Sequence, residues 1–191
     1  MSFILNYNRC AVAQIRSFRP AKLICGIIAS EDAHFVSAEA GLAGLFGDID
    51  SRSARFDFSI TDYYEAEMGP SLRRGFLSFE RLVDPEQISD IKVRTNGLED
   101  EVRLAFGAIR RVVNIDPGFL TSAALIMATA KDFSHRIPLR RGIYGHLEFL
   151  FSKNGLRRLD WTYPDFAQEG YQVYFLDVRK IYLAQLRTNG L

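Results

Sequence analysis

Residues 23–29 read Leu-Ile-Cys-Gly-Ile-Ile-Ala, seven in a row with no charge, amide or hydroxyl, between Pro20 and Ser30. The run is far short of the roughly 20 residues that span a bilayer. Short, apolar and bounded by turn residues, it reads as a fully buried strand. Burying it requires a sizeable core. The 191 residues are 48% hydrophobic and 13% aromatic, enough to build one and to exclude disorder for the bulk of the chain.

The segments on either side of this strand alternate in period. Phe35, Ala38, Leu42 and Leu45 recur at helical spacing, with Ser30 or Asp32 to cap the helix and Gly47 to end it. Phe56, Phe58 and Ile60 alternate with Asp57, Ser59 and Thr61, the period of a half-buried strand. After a polar stretch with Gly69-Pro70, residues 75–83 form another strand, with Leu77, Phe79 and Val83 on one face. Asp84-Pro85-Glu86-Gln87 starts a helix. Its apolar stripe is Ile88, Ile91, Leu98 and Val102, and Asn96-Gly97 should weaken or kink its middle. Residues 112–115 form a strand ended by the turn Asp116-Pro117-Gly118.

Strand, helix, strand, strand, helix, strand is the pattern of a ferredoxin-like core. Further strands are expected at 124–130 and 143–151, the last ending in a turn at Lys153-Asn154-Gly155. A closing helix places Tyr171, Phe175, Val178, Tyr182 and Leu186 on one face. The expected fold is a single α+β domain over residues 20–191, mainly antiparallel, with a βαββαβ core, extra C-terminal strands and a C-terminal helix. Residues 1–19 are read as a tail.

Charge and cysteine content bound the function. There are 24 basic and 23 acidic residues, a net charge of +1, which argues against a dedicated nucleic-acid binder. Cys10 and Cys25 have no zinc-site spacing, and Cys25 in its apolar run reads as a buried free thiol. With no membrane-spanning run and no ordered signal-peptide features, the expectation is a cytoplasmic protein with no membrane partner. Neither GxxxxGK[ST] nor GxGxxG occurs, so neither a P-loop nor a Rossmann nucleotide site is expected.

Strand alternation places Asp57, Asn114, Asp116, His146 and Glu148 on faces opposite the apolar side chains, and a ferredoxin-like sheet leaves one face uncovered. Acids and a histidine converging there are the residue types of an acid–base pair or a divalent-metal site, although no fixed-spacing metal motif supports the latter. On one helix face, Lys92, Thr95, Asn96 and Glu99 form a polar set that ordinarily would be solvated. The segment Lys131-Asp132-Phe133-Ser134-His135-Arg136 has the cations to meet a phosphate or carboxylate. Trp161-Thr162-Tyr163-Pro164-Asp165 is an aromatic loop that either stacks a ring or closes the core.

These blocks together resemble a prokaryotic family of unknown function, number 4416. The resemblance rests on Phe56-Asp57-Phe58 and Asp62-Tyr63-Tyr64-Glu65-Ala66-Glu67-Met68-Gly69, then Thr95-Asn96-Gly97-Leu98-Glu99 and Val113-Asn114-Ile115-Asp116-Pro117-Gly118. It continues through Ala128-Thr129-Ala130-Lys131-Asp132, Ser134-His135-Arg136-Ile137 and Trp161-Thr162-Tyr163-Pro164-Asp165. The chain departs from the family pattern at Pro138, where an aromatic is expected, and at His146, where an acid is expected. Some members carry the label GTP-binding protein, which the missing phosphate loop does not support here.

The resemblance marks a site formed by Asp57, Tyr64, Glu67, Asn96, Asn114, Asp116, Lys131, His135 and Arg136. The expected function is binding of a small anionic or phosphorylated ligand, whether or not a reaction follows. Asp57, Glu67, Asp116 and His135 are the candidate catalytic residues. Tyr64, Lys92, Asn96, Asn114, Lys131 and Arg136 are the candidate ligand contacts. A non-catalytic interaction module, for example a homodimer through a sheet face or edge, is the alternative.

Overall fold

The computed structural model describes residues 14–59, 64–153 and 155–191. In chain order the elements are β1 (Ala21–Ala29), α1 (Asp32–Phe46), β2 (Ile49–Arg52), β3 (Phe56–Asp57), the short α2 (Glu65–Met68), β4 (Arg73–Val83), α3 (Ile88–Ala105) and β5 (Val113–Leu120). Then follow β6 (Ala124–Thr129), β7 (Ile137–Pro138), β8 (Tyr144–Ser152), β9 (Gly155–Arg158) and α4 (Glu169–Thr188). The strands form one sheet ordered β2-β4-β1-β5-β6-β8-β7, with β3 paired to β4 and β9 to β8. Every described pairing is antiparallel. The α+β architecture with its C-terminal helix is as expected, and the order β2-β4-β1-β5 is compatible with a ferredoxin-like core.

All nine residues of β1 are buried, because the strand is central and covered on both faces. Leu23, Cys25, Ile27 and Ala29 pack with Phe35, Ala38 and Leu42 of α1 and Ile91, Leu98 and Val102 of α3. Ile24 faces the other way, into a second core with Phe76, Phe149 and the buried stripe Tyr171, Phe175, Val178, Tyr182 and Leu186 of α4. Phe76 is the centre of that core, with ring centroids 4.7 Å from Tyr171 and 4.9 Å from Phe175. Each such aromatic contact adds about 0.5–1.5 kcal/mol beyond area burial. Fully buried Lys22 ties β1 to β2 and α4 through Asp50 and Gln185 Oε1, the latter at 2.8 Å.

The expectation of an uncovered sheet face is therefore wrong: α4 covers it. Three local expectations are also corrected. First, β5 does not stop at Asp116-Pro117-Gly118 but runs through it to Leu120, held by β1 along Lys22–Ala29. Second, the strand expected from Phe56 is only Phe56–Asp57, while Ile60 lies outside the described residues. Third, α3 continues through Asn96-Gly97 without a break. Buried Lys92, Thr95 and Leu98 anchor it on both sides of that point. Neither Ser30 nor Asp32 caps α1, whose N-cap is Glu31 with no side-chain cap hydrogen bond, but two other signals hold. Asp84 accepts the Glu86 N–H at 3.0 Å, and Gly47 ends α1 at φ +93°. The turn expected at Lys153-Asn154-Gly155 joins β8 to β9, with Asn154 itself outside the described residues.

Two glycines separate packing from propensity. A Cβ at Gly118 would lie 2.5 Å from the Ile126 carbonyl oxygen and from Met127 Sδ, whereas nothing lies within 4 Å of one at Gly97. Urea unfolding should show Gly118→Ala destabilised by about 1–3 kcal/mol, from overpacking against backbone. Gly97→Ala should be stabilised by about 0.5–1 kcal/mol, because the alanine fits the helix and restricts the unfolded chain.

Candidate functional site

β5 pairs with β6 only at Gly118, Phe119 and Leu120. The backbone explains why. Ile115 donates its N–H to Glu99 Oε1 at 2.7 Å and accepts Lys92 Nζ on its carbonyl at 2.7 Å. Its polar groups thus point away from β1, toward the side where β6 would continue. Two residues on, Pro117 turns the same way and has no N–H to offer. The strands part there, and a cavity of about 720 Å³ opens between β5, β6, α3 and the Tyr163-Pro164-Asp165-Phe166 segment. That volume suits a small molecule.

Arg74 of β4, almost fully buried, lies within the cavity wall. Its Nη1 donates to Asp165 at 2.6 Å and its Nη2 to Asp116 at 3.3 Å. The guanidinium passes over Gly26, where a Cβ would lie 3.2 Å from Nη2, so the lone glycine of the apolar β1 run makes room for this charge. Asp116 also accepts Asn114 Nδ2 at 2.8 Å and lies 3.5 Å from Lys92 Nζ. Burial alone would raise the Asp116 pKa, but Lys92 and Arg74 outweigh it and hold the carboxyl below its usual value.

A second group forms the α2–α3 side. Arg111 reaches Glu67 at 2.6 Å, Asn114 Oδ1 at 3.0 Å and Glu99 at 3.5 Å. Burial pushes the Glu99 pKa up, against the pull of Lys92 and the Ile115 N–H. The Tyr64 ring has the Arg111 guanidinium 5.4 Å and the Lys131 ammonium 5.5 Å from its centroid.

At the far end, buried His146 of β8 lines the cavity with its ring stacked on Tyr163 (4.8 Å, 12°). His146 Nε2 lies 3.0 Å from Glu148 Oε1, and burial raises the pKa of that fully buried carboxyl. His146 Nδ1 accepts from Arg136 Nε at 3.3 Å and lies 3.1 Å from His135 Nε2. Arg136 also donates to the Tyr163 hydroxyl and, at 2.7 Å, to the Lys131 carbonyl.

The structure thus brings Tyr64, Lys92, Asn96, Asn114, Asp116 and Lys131 to one cavity. Glu67 joins through Arg111, and His135 and Arg136 join through His146. Asp57 does not join. It is exposed on the edge strand β3, where its carbonyl accepts from Gln168 at 3.4 Å. Arg140 and Arg141 pair with Asp90, away from the cavity. The polar face of α3 is only partly solvated: Lys92 and Thr95 are buried and Glu99 is half-buried, while Asn96 stays exposed.

Sequence reasoning missed Arg74 and Arg111. The available signal for Arg74 was its place two residues before Phe76, on the same strand face as a large aromatic that needed a cover. Among the described residues, no group of three or more His, Cys, Asp or Glu side chains is placed to hold a metal ion. Nor is any helix among them long and apolar enough to cross a membrane.

The molecule is thus an α+β protein with a charged cavity where its antiparallel sheet splits. The family model described as a domain of unknown function, DUF4416, matches residues 19–182. The chain belongs to that family, and the match spans the sheet, the cavity and most of α4. No curated protein and no solved structure matches the chain.

Arg74→Met should cost about 3–5 kcal/mol by thermal or urea unfolding, because it leaves Asp165 buried without its cation. The Asp116 pKa is lower in the folded than in the unfolded chain. Its contribution to stability is therefore present above the unfolded value of about 3.9 and lost as pH falls through the folded value. Asp116→Asn should accordingly flatten the dependence of unfolding free energy on pH below about 4.

Proposed function

We propose that this chain binds a small anionic molecule, of the size and charge of a phosphorylated or carboxylated metabolite, in the cavity between β5 and β6. The balance of donors and acceptors carries this reading. Asp116, Asp165 and Glu99 already accept from arginine, lysine, asparagine or backbone donors. Arg74 and Arg111 each keep a buried Nε–H with no protein hydrogen-bond partner, against one such carboxylate oxygen, Oε1 of Glu148. Buried donors in excess favour an acceptor-rich ligand. Tyr64, Tyr163, Phe58 and Phe166 supply the apolar and aromatic wall that such a site needs alongside its charges.

Two cations face the ligand space differently. Arg111 is fixed by Glu67 and Asn114 and so is preorganised, while Lys131 is an exposed point charge at the rim. The compartment consistent with this role is the cytoplasm, a reading supported by Cys25, a buried free thiol whose pKa burial raises.

The test is a thermal-shift and calorimetric screen with sugar phosphates, nucleoside phosphates, citrate and inorganic phosphate. At least one should raise the melting temperature, by an amount corresponding to about 2.7 kcal/mol at a hundredfold excess over Kd. Lys131→Ala should weaken that ligand about tenfold, or 1.4 kcal/mol. No stabilisation of the wild type by any of these compounds would refute the reading.

A further inference from the structure

Beside the charged floor of the cavity lies a device that simple anion binding does not require. His135 Nε2 and His146 Nδ1 are 3.1 Å apart, close enough for one hydrogen between them and too close for two. Both rings are held in place: His135 is stacked on Trp161 (5.4 Å, 11°) and His146 on Tyr163 (4.8 Å, 12°). The arrangement runs from half-exposed His135 to buried His146 and on to Glu148, which is 0% exposed. It therefore leads from the surface to the cavity wall and then into the core.

Taking the cavity as an anion site, as proposed above, we infer that it takes up a proton together with its anion, and that the hydrogen-bonded His135–His146 pair is where this proton resides. The ligand class is then an anion whose binding is tied to a proton from water.

The charges around the pair give the reason. Arg136 from the same loop donates to His146 Nδ1, the atom His135 also faces. Lys131 and Arg74 line the same cavity, and Arg74 acts on Glu148. The facing acids are Glu148 on β8, Asp165 beside Tyr163 and Asp116 on β5. Asp165 and Asp116 are already paired with Arg74 and Lys92. In the resting cavity an extra proton on the imidazole pair would lie beside the Arg136 cation. With Nδ1 accepting, the one ring proton of His146 is placed on Nε2, toward Glu148. Limited burial, His146 and Arg136 all hold His135 below the ordinary histidine value.

An anion entering against the cavity face of His146 offsets that repulsion. The pair then gains one proton from water, delivered through His135, and its charge rises by one as the ligand brings its negative charge. Linkage is reciprocal, so whatever factor the anion adds to proton affinity, the proton adds to anion affinity.

Sulfate is the probe, because its charge does not change between pH 5.5 and 7.5, and the titration is followed by calorimetry and by NMR of the imidazole protons. Only three histidines contribute, and the third, His34, lies on α1 beside Phe106. Sulfate affinity should rise about tenfold, or 1.4 kcal/mol, from pH 7.5 to pH 5.5. The His135 and His146 signals should shift with sulfate while His34 stays fixed. Lys131→Ala should weaken sulfate at both pH values, which locates it in the cavity. In the His135→Gln/His146→Gln double variant the pH dependence should fall below twofold. If that variant fails to fold, the wild-type NMR titration decides.

Sulfate that binds equally at both pH values, with Lys131→Ala still weakening it, would overturn the proton coupling and leave the anion site intact. A pH dependence that persists in the double variant, or that moves only His34, would overturn the assignment to this pair. No sulfate binding at any pH would overturn the coupling, while the broader ligand screen would judge the anion site separately.

Discussion

The backbone of Ile115 must find hydrogen-bond partners inside the protein, and no strand supplies them on the side facing β6. Buried peptide groups are almost always paired. Here Glu99 takes the N–H and Lys92 takes the carbonyl, so a helix stands in for the missing stretch of β6. This substitution allows β5 and β6 to separate without leaving the sheet unsatisfied. It also places a lysine and a glutamate at the wall of the resulting cavity. The same two side chains serve the fold and the cavity, which is why Lys92 is buried and Glu99 half-buried on an otherwise polar helix face.

The charges below that wall follow a related logic. Buried ion pairs are poor sources of net stability, because desolvation offsets most of their attraction. Arg74, Asp165, Asp116, Lys92 and Asn114 nevertheless form one connected set at the cavity floor. Apolar residues could close this space at less cost. A network of this kind fixes the direction of each donor and acceptor, and the low dielectric strengthens its effect on anything that enters. The aromatic ring of Phe166 shares this role, with the Arg74 guanidinium 4.9 Å from its centroid.

Much of the site was legible as a set of polar blocks with the wrong surroundings. Asn114, Asp116 and Lys131, singled out by alternation and charge, do line one cavity, and His135 and Arg136 reach it through His146. Asp57 was drawn in by the same alternation, yet β3 ends after two residues at the sheet edge and leaves it in solvent. The assumption of an open sheet face failed for a reason visible in β1. Its run lacks a polar partner at any second position, which suits only a strand covered on both sides. Phe76, two residues beyond Arg74, repeated that message on β4.

Sequence alone determined the periods, the Asp84 cap and the apolar stripe of α4, because these depend on neighbours three or four residues away or fewer. It also determined that Pro117 could donate no backbone hydrogen bond, since the missing N–H is a property of the residue itself. Only the tertiary structure decided that β6 would leave β5 at that point and that Arg74 would lie over Gly26. It also decided that His135 and His146, eleven residues apart, would share one hydrogen bond. Those outcomes depend on which strand lies beside which and on what each buried polar group then lacks, and no local pattern encodes either.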